Sequence, residues 1–310
     1  MGNTGTMTKD FLSILDLTPN ELDELFVLAD TLRTDTRRRP MEGKTAALIF
    51  QKPSLRTRVS FEVGICQLGG HPVFLTQEGV GLGQRESASD VAKLLSRYNH
   101  LIVARLFDHQ LLLDLAGYSD IPVINALTDL THPCQIIADM YTMRQYGKLR
   151  KGVKVAFIGD GNNVVNSWLE VSALYPMHFV LAAPKGYEPN AEMLHRAQRA
   201  DVSTIEIVHD PETAATGADV LYTDVWVSMG QENDADARRK AFSGYQVNEK
   251  LLARAQPDCL VMHCMPAHRG EEVTAGVLDG NQSVIFDQAE NRLHIQKAII
   301  TKLVEQYAKK

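Results

Sequence analysis

The sequence predicts an α/β protein built of two doubly wound domains, each with a mostly parallel sheet, linked by helices. Three observations carry this expectation. Short apolar runs alternate with stretches of helical periodicity from about residue 45 onward, the pattern of strands covered on both faces by crossover helices. The alternation halts at a long helical stretch ending at Gly147 and begins afresh at "VKVAFIG" (153–159). A chain of 310 residues, 45% of them hydrophobic, is long enough to bury two ordinary cores.

The elements follow in order. Thr18 and Pro19, followed by Leu22, Leu25, Phe26, Ala29 and Leu32, supply an N-cap, a proline at the first helical position and apolar residues at helical spacing. After a basic turn at 37–39, the runs at 45–50, 72–75, 101–104 and 122–126 read as strands, with helices at 55–68, 87–98 and 109–117 between them. A helix over 134–146 comes next. In the second half, strands are expected at 153–159, 178–182, 204–208, 219–223, 259–263 and 283–286. Leu293, Ile299, Ile300, Leu303, Val304 and Tyr307 then mark a last amphipathic helix. The expected domains are 1–136, completed by the helix 290–310, and 150–289, with 137–149 as the helix between them. No internal repeat or low-complexity segment interrupts the pattern.

Composition narrows the function. Lys and Arg total 32 against 38 Asp and Glu, a formal charge of −6, with no basic block suited to nucleic acid. Residues 1–20 lack the pattern of a signal peptide, and no apolar run approaches the length of a membrane span. Cys66, Cys134, Cys259 and Cys264 show no paired C-x-x-C spacing, so reduced thiols in the cytoplasm are expected.

Several motifs carry chemistry. In "KPSLRTRVSFEVG" (52–64), Arg56 and Arg58 fall in the first turn of a helix capped by Ser54. A helix N-terminus is already positive, so basic residues there call for an anion such as phosphate, held by the helix N–H groups, hydroxyls and guanidinium forks. An ordinary cap with solvated arginines is the alternative. "AFIGDGNNVVNS" (156–167) suggests a dinucleotide turn, but the third glycine would fall at Val164 and the following strand offers no acid for a ribose. Asn162 and Asn163 instead suit a small ligand, or simply close the turn. In "LTDLTHPCQIIADM" (127–140), Pro133 lets His132 and Gln135 face a cleft where they could polarise a carbonyl and an amide; a capping segment would look similar. "TDVWVSMGQEND" (223–234) offers Asp224 for an ammonium group, Ser228 for a carboxylate and Gly230 for a loop free to close, or an exposed acidic turn. In "MHCMPAHRGEEV" (262–273) a metal is not expected, because His263 and Cys264 would face opposite sides of a strand and Pro266 blocks a helical alignment of His268. A Cys-His nucleophile stays open, since such pairs form in space.

Taken together, "SLRTR", "HPCQ", "GDGNN", "DVWVSMG", "HCMPAHRG" and "AENRLHIQKA" resemble the ornithine carbamoyltransferases in order and spacing, from about residue 10 onward. The resemblance implies direct transfer of the carbamoyl group of carbamoyl phosphate to the δ-amine of L-ornithine, in an ordered mechanism with no cofactor. It implies that Ser54, the Leu55 N–H, Arg56, Thr57, Arg105 and Arg292 hold phosphate. His132, Gln135, Cys264 and the Met265 carbonyl would then contact the carbamoyl group, and Asn163, Asp224, Ser228 and Met229 the ornithine. Arg105, Thr57, His132 and Cys264 would be the catalytic groups, in a homotrimer or a multiple of trimers. Family members commonly carry Gln in the stretch that here reads "GVGLGQRES", completing a neighbouring subunit's site; Gly81 stands at that position, with Gln84 or Arg85 as substitutes. Leu usually occupies the place of Met265, a volume-conserving difference. The alternatives are a carbamoyltransferase for another amine or an N-acylated ornithine, and a non-catalytic ligand-binding homologue.

Overall fold

Ala46–Phe50 are buried on both faces, which makes β1 (Thr45–Phe50) an inner strand. In the computed structural model, which describes residues 9–308, β1 lies between β2 (His71–Thr76) and β3 (Leu101–Arg105), and β4 (Val123–Leu127) lies beyond β3. All pairings in this four-stranded sheet are parallel. Its order, β2-β1-β3-β4, reverses direction between β1 and β3. In such sheets the crevice outside the carboxyl ends of the strands at the reversal is the place where ligands bind. The segments that leave β1, β3 and β4 at that end begin at Gln51, Leu106 and Thr128.

The second sheet is also parallel throughout, with order β7-β6-β5-β8-β9. Its strands are β5 (Val153–Ile158), β6 (Met177–Ala182), β7 (Thr204–Val208), β8 (Val220–Thr223) and β9 (Leu260–His263). Here the reversal falls between β5 and β8, which are followed by Gly159–Asn163 and by Asp224. Trp168, fully buried in the helix Asn163–Ser172, stacks on Phe179 at 6.0 Å and meets Tyr222 edge-on at 5.8 Å, fixing that helix to the sheet.

The chain divides into two compact units. One runs up to Ala138 and resumes at Asn291; the other is Asp139–Glu290. Both divisions fall inside helices, Pro133–Gln145 and Ile285–Tyr307.

One expected strand is absent from the second sheet. Ser283 makes only an isolated bridge to Val261, and Ile285 opens the 23-residue helix Ile285–Tyr307. Val284 and Ile285 are buried while Phe286 is 69% exposed. A three-residue apolar run fits a strand or the buried start of a helix equally well, and here it is the latter. The expectations for residues 1–8 and 309–310 lie outside the described residues.

Candidate active site

In the first unit, Ser54 adopts extended backbone angles and its Oγ accepts the Thr57 N–H at 3.2 Å, so it caps the helix Leu55–Gln67. That helix has no acidic residue in its first turn. Leu55 is its first residue and its side chain is exposed, so what Leu55 can offer an anion is its backbone N–H. Thr57 is fully buried. Its Oγ1 accepts hydrogen bonds from Arg292 Nη2 at 2.5 Å and from Arg105 Nη1 at 3.3 Å, and these two arginines are 3% and 4% exposed. Two buried guanidinium groups converging on one neutral hydroxyl beside a positive helix end make a setting suited to an anion. Arg56, half-buried, is the second residue of the same helix. Arg58 does not join: it pairs with Glu62 at 3.0 Å and covers the Phe74 ring, because the helix turns its side chain outward.

A turn after β4 sets His132. The Thr128 N–H donates to the Thr131 carbonyl at 2.8 Å, and Asn125 Nδ2 donates to Thr131 Oγ1 at 3.0 Å. Pro133 then starts a helix, leaving His132 and Gln135 both buried at its N-terminus. Burial first, then Arg292 and Arg105, hold the His132 imidazole well below its ordinary pKa, so the ring is neutral at physiological pH. Cys134 beside it is inert, since burial pushes its thiol up to about 12.

In the second unit, the turn after β5 passes too close to its neighbours for a side chain. A Cβ on Gly161 would meet the backbone of Glu188 and Pro189 at 2.4 Å, and the Gly161 N–H donates to the Tyr187 carbonyl at 2.9 Å. That glycine therefore serves chain packing. Asn162 follows as a helix cap: its Oδ1 accepts the Val164 N–H at 2.9 Å and its Nδ2 donates to Asp224 Oδ2 at 2.8 Å. Asn163, half-buried, is the first residue of the helix. Asp224 is also held through Oδ1, which accepts from the Val225 N–H at 2.8 Å and the Cys264 thiol at 2.9 Å.

Cys264 owes its place to His263. The Met265 N–H donates to His263 Nδ1 at 2.8 Å, which puts the proton of the neutral ring on Nε2, where it donates to Glu272 Oε1 at 3.1 Å. The His263 N–H donates to Gln288 Oε1 at 2.9 Å. Gln288 Nε2 in turn donates to Asp139 Oδ1 at 2.8 Å, and the Tyr222 hydroxyl donates to Asp139 Oδ2 at 2.8 Å. Met265 has φ +58, the left-handed region unusual for a side-chain-bearing residue, which turns the chain sharply out of β9.

One expectation for this segment is corrected. β9 ends at His263, so the alternation of a strand no longer separates it from Cys264, and ligand atoms of Asp224, His263 and Cys264 lie within 4.8 Å of one another. His268 stays out of that group and lies instead beside Glu271 and Glu272, which the turn at Gly270 (φ +91) brings back toward it.

The loop after β8 carries Ser228 and Met229. The Ser228 N–H donates to Gln231 Oε1 at 3.1 Å, Gly230 has φ +91, and Met229 is 44% exposed. Sequence reasoning missed what fastens this loop. Buried Arg238 donates through Nε to the Trp226 carbonyl at 2.6 Å, forms an ion pair with Asp160 and lies over the Tyr187 and Phe242 rings. Burial pushes the Asp160 carboxyl up to about 6 despite that pairing. In "ADARRK" Arg238 reads as one more charge on an exposed helix; its spacing from Phe242, one helical turn on, was the available signal. At the Gly81 stretch, Arg85 is tied to its own loop, Nη2 donating to the Gly79 carbonyl at 2.6 Å and the Val80 carbonyl at 3.2 Å. Gly81 has φ +67, and a Cβ there would strike that of Arg85 at 2.8 Å, so this loop conformation demands glycine.

Comparison with known proteins bears on both units. The family model described as the carbamoyl-P binding domain of aspartate/ornithine carbamoyltransferase matches residues 9–145, and that of the Asp/Orn binding domain matches residues 151–303. The chain is 53% identical over 307 residues to the ornithine carbamoyltransferase of Chlorobaculum tepidum, covering 97% of this chain and 91% of that one. It is 49% identical to the chloroplastic enzyme of Pisum sativum, covering 96% and 80%. The solved ornithine carbamoyltransferase of Pyrococcus furiosus matches with a TM-score of 0.88 at 46% identity, covering 94% and 95%. With two parallel sheets in place and matches of this depth across nearly its whole length, the chain belongs to the ornithine carbamoyltransferases of the aspartate/ornithine carbamoyltransferase family.

Proposed function

We propose that this protein transfers the carbamoyl group of carbamoyl phosphate to the δ-amine of L-ornithine, releasing L-citrulline and phosphate. The observation that carries the reading is the sharing of Thr57 Oγ1 between buried Arg105 and Arg292 at the open N-terminus of a helix. These groups, with Ser54, the Leu55 N–H and Arg56, are assigned to the phosphate, whose charge grows as it leaves. Arg105, Thr57 and neutral His132 stabilise the oxyanion that forms when the amine attacks the carbonyl carbon, and Gln135 and the Met265 carbonyl orient the carbamoyl amide. The C–N bond forms as the C–O bond to phosphate breaks, and the amine's surplus proton leaves with water or phosphate. The balance requires no cofactor and no covalent enzyme intermediate.

Asp224 is assigned to the α-ammonium group of ornithine, with Asn163, Ser228 and Met229 completing its recognition. Cys264 acts by position and polarity beside the attacking amine; its thiol is already spent on Asp224 as a donor. Asp224 disfavours aspartate as the acceptor, since a second carboxylate would be repelled there. Citrulline formation from carbamoyl phosphate with a panel of amines tests the assignment. Turnover of ornithine above putrescine, aspartate and N-acetylornithine is expected; preference for another amine, or none at all, overturns it.

We also assign the protein to a homotrimer, or a multiple of trimers, in the cytoplasm. An exposed stripe of Leu55, Val59 and Val63 on one helix supports self-association. None of the four cysteines is disulfide-bonded, which suits a reducing compartment. Among the described residues no helix is long and apolar enough to cross a membrane.

A further inference from the structure

We propose that His268, Glu271 and Glu272 form a binding site for a divalent cation of the borderline class, such as zinc. The chain reverses at Gly270, with the Glu271 N–H donating to the His268 carbonyl at 2.9 Å and the Gly270 N–H to the Val273 carbonyl at 2.8 Å. This turn brings one imidazole nitrogen and two carboxylate oxygens within 4.8 Å of one another.

Glu272 supplies the second, independent observation. It is fully buried, and its two oxygens are treated unequally. Oε1 accepts from His263 Nε2 at 3.1 Å and from the His268 N–H at 2.5 Å. Oε2 is buried with no hydrogen-bond donor and points at His268 Nδ1, 3.8 Å away. A buried carboxylate oxygen without a donor is costly. The separation is too long for a hydrogen bond, yet close to the spacing of two ligands on one ion: bonds of about 2.0–2.1 Å at a tetrahedral angle put ligand atoms about 3.4 Å apart. A shift of a few tenths of an ångström closes the site.

The donor set fixes the class of ion. One neutral imidazole and two carboxylates balance a charge of +2, offer no thiolate, and leave coordination positions for water. His268 is 51% exposed, so the ion enters from solvent. Arg239, 3.4 Å from Glu271, is the competing cation, but that pair is half-exposed and weak, and it yields to a divalent ion. Because the same Glu272 carboxylate holds His263, and His263 holds the Met265 N–H, an ion here tightens the segment that carries Cys264.

The test uses the whole protein stripped of metal. Zinc is titrated by calorimetry and cobalt(II) by visible absorption into the wild type, His268→Ala, Glu271→Gln and Cys264→Ser. One ion per chain is expected, with cobalt d–d bands and no thiolate charge-transfer band. Affinity should fall at least about tenfold in His268→Ala and Glu271→Gln and stay unchanged in Cys264→Ser. Zinc should raise the Tm of the wild type and not that of His268→Ala. Both tested ligands lie at the surface, so their variants fold. The proposal is overturned by absence of binding at millimolar zinc or by binding that survives His268→Ala. It is equally overturned by a thiolate band lost in Cys264→Ser, which would put the ion on Asp224 and Cys264. A Tm that rises as pH falls through the imidazole range while ignoring zinc would make protonated His268 the partner of Oε2, and would also overturn it.

Discussion

Replacing Thr57 with valine keeps the buried volume and removes one oxygen. That oxygen accepts from Arg292 at 2.5 Å and from Arg105 at 3.3 Å, and both arginines are buried. A hydrogen bond from a charged donor contributes about 1.5–3 kcal/mol, and the longer contact contributes less, so the ligand-free protein should lose about 2–4 kcal/mol. Domains of this kind have about 5–15 kcal/mol in total, so the loss should be plain in urea unfolding followed by circular dichroism. Thr57→Ser, which keeps the hydroxyl and removes a methyl group, should lose only about 1 kcal/mol. Carbamoyl phosphate, by supplying anionic oxygens to the same two arginines, should restore part of the loss in the valine variant at saturating concentration. If Thr57→Val unfolded within about 0.5 kcal/mol of the wild type, or if serine and valine were equally damaging, the shared-hydroxyl argument would be wrong.

Arg56→Ala should weaken carbamoyl phosphate binding by about 1.5–3 kcal/mol in calorimetry, and near-normal affinity would remove Arg56 from the phosphate site. Norvaline, an ornithine analogue without the reacting amine, should bind measurably more tightly once carbamoyl phosphate is present; equal affinity with and without it would exclude ordered binding. Cys264→Ser should slow turnover and weaken ornithine binding without ending activity, whereas a carbamoyl thioester trapped in the wild type would make the cysteine a nucleophile. Asp160, raised from 3.8 to about 6, binds a proton more readily in the folded than in the unfolded chain. Its contribution to stability is therefore full below about 3.8 and fades as pH rises through about 6, by about 3 kcal/mol at 1.36 kcal/mol per unit. Asp160→Asn should flatten the dependence of unfolding free energy on pH between 4 and 7 by about that amount, and an unchanged slope would count against the burial of that carboxyl.

The parallel sheets were legible because buried strands leave continuous apolar runs and the intervening helices leave a different period, as 45–50 and 101–104 show beside 55–68. The cap at Ser54 and the place of His132 ahead of a helix could be read for the same reason, since each sits where a strand has just ended and a helix begins. What escaped depended on contacts between distant positions. Nothing local to Arg238 says that Asp160 and the Trp226 carbonyl will meet it, and nothing local to Tyr222 announces Asp139 and Gln288. The misread strand at 283–286 failed for a related reason: burial of Val284 and Ile285 is visible in the letters, but the geometry that buries them is not. At Cys264, alternation was applied one residue beyond the end of β9.

The close passage of Gly161 against residues 187–189 bears on how this protein could diversify. Any larger residue there would push the turn outward, carrying Asn162 and hence the carboxylate of Asp224 with it, so the position tolerates no drift. The loop after β8 has more room, for a Cβ at Gly230 would meet nothing within 4 Å, and only its φ of +91 favours glycine there. Selection for a new acceptor amine would therefore leave the β5 turn untouched and act first on Met229, the exposed side chain of that loop. On the proposed assignment, recognition of the amino acid's α-ammonium group is in this sense frozen into the scaffold, while the part that could learn a different side chain remains open to revision.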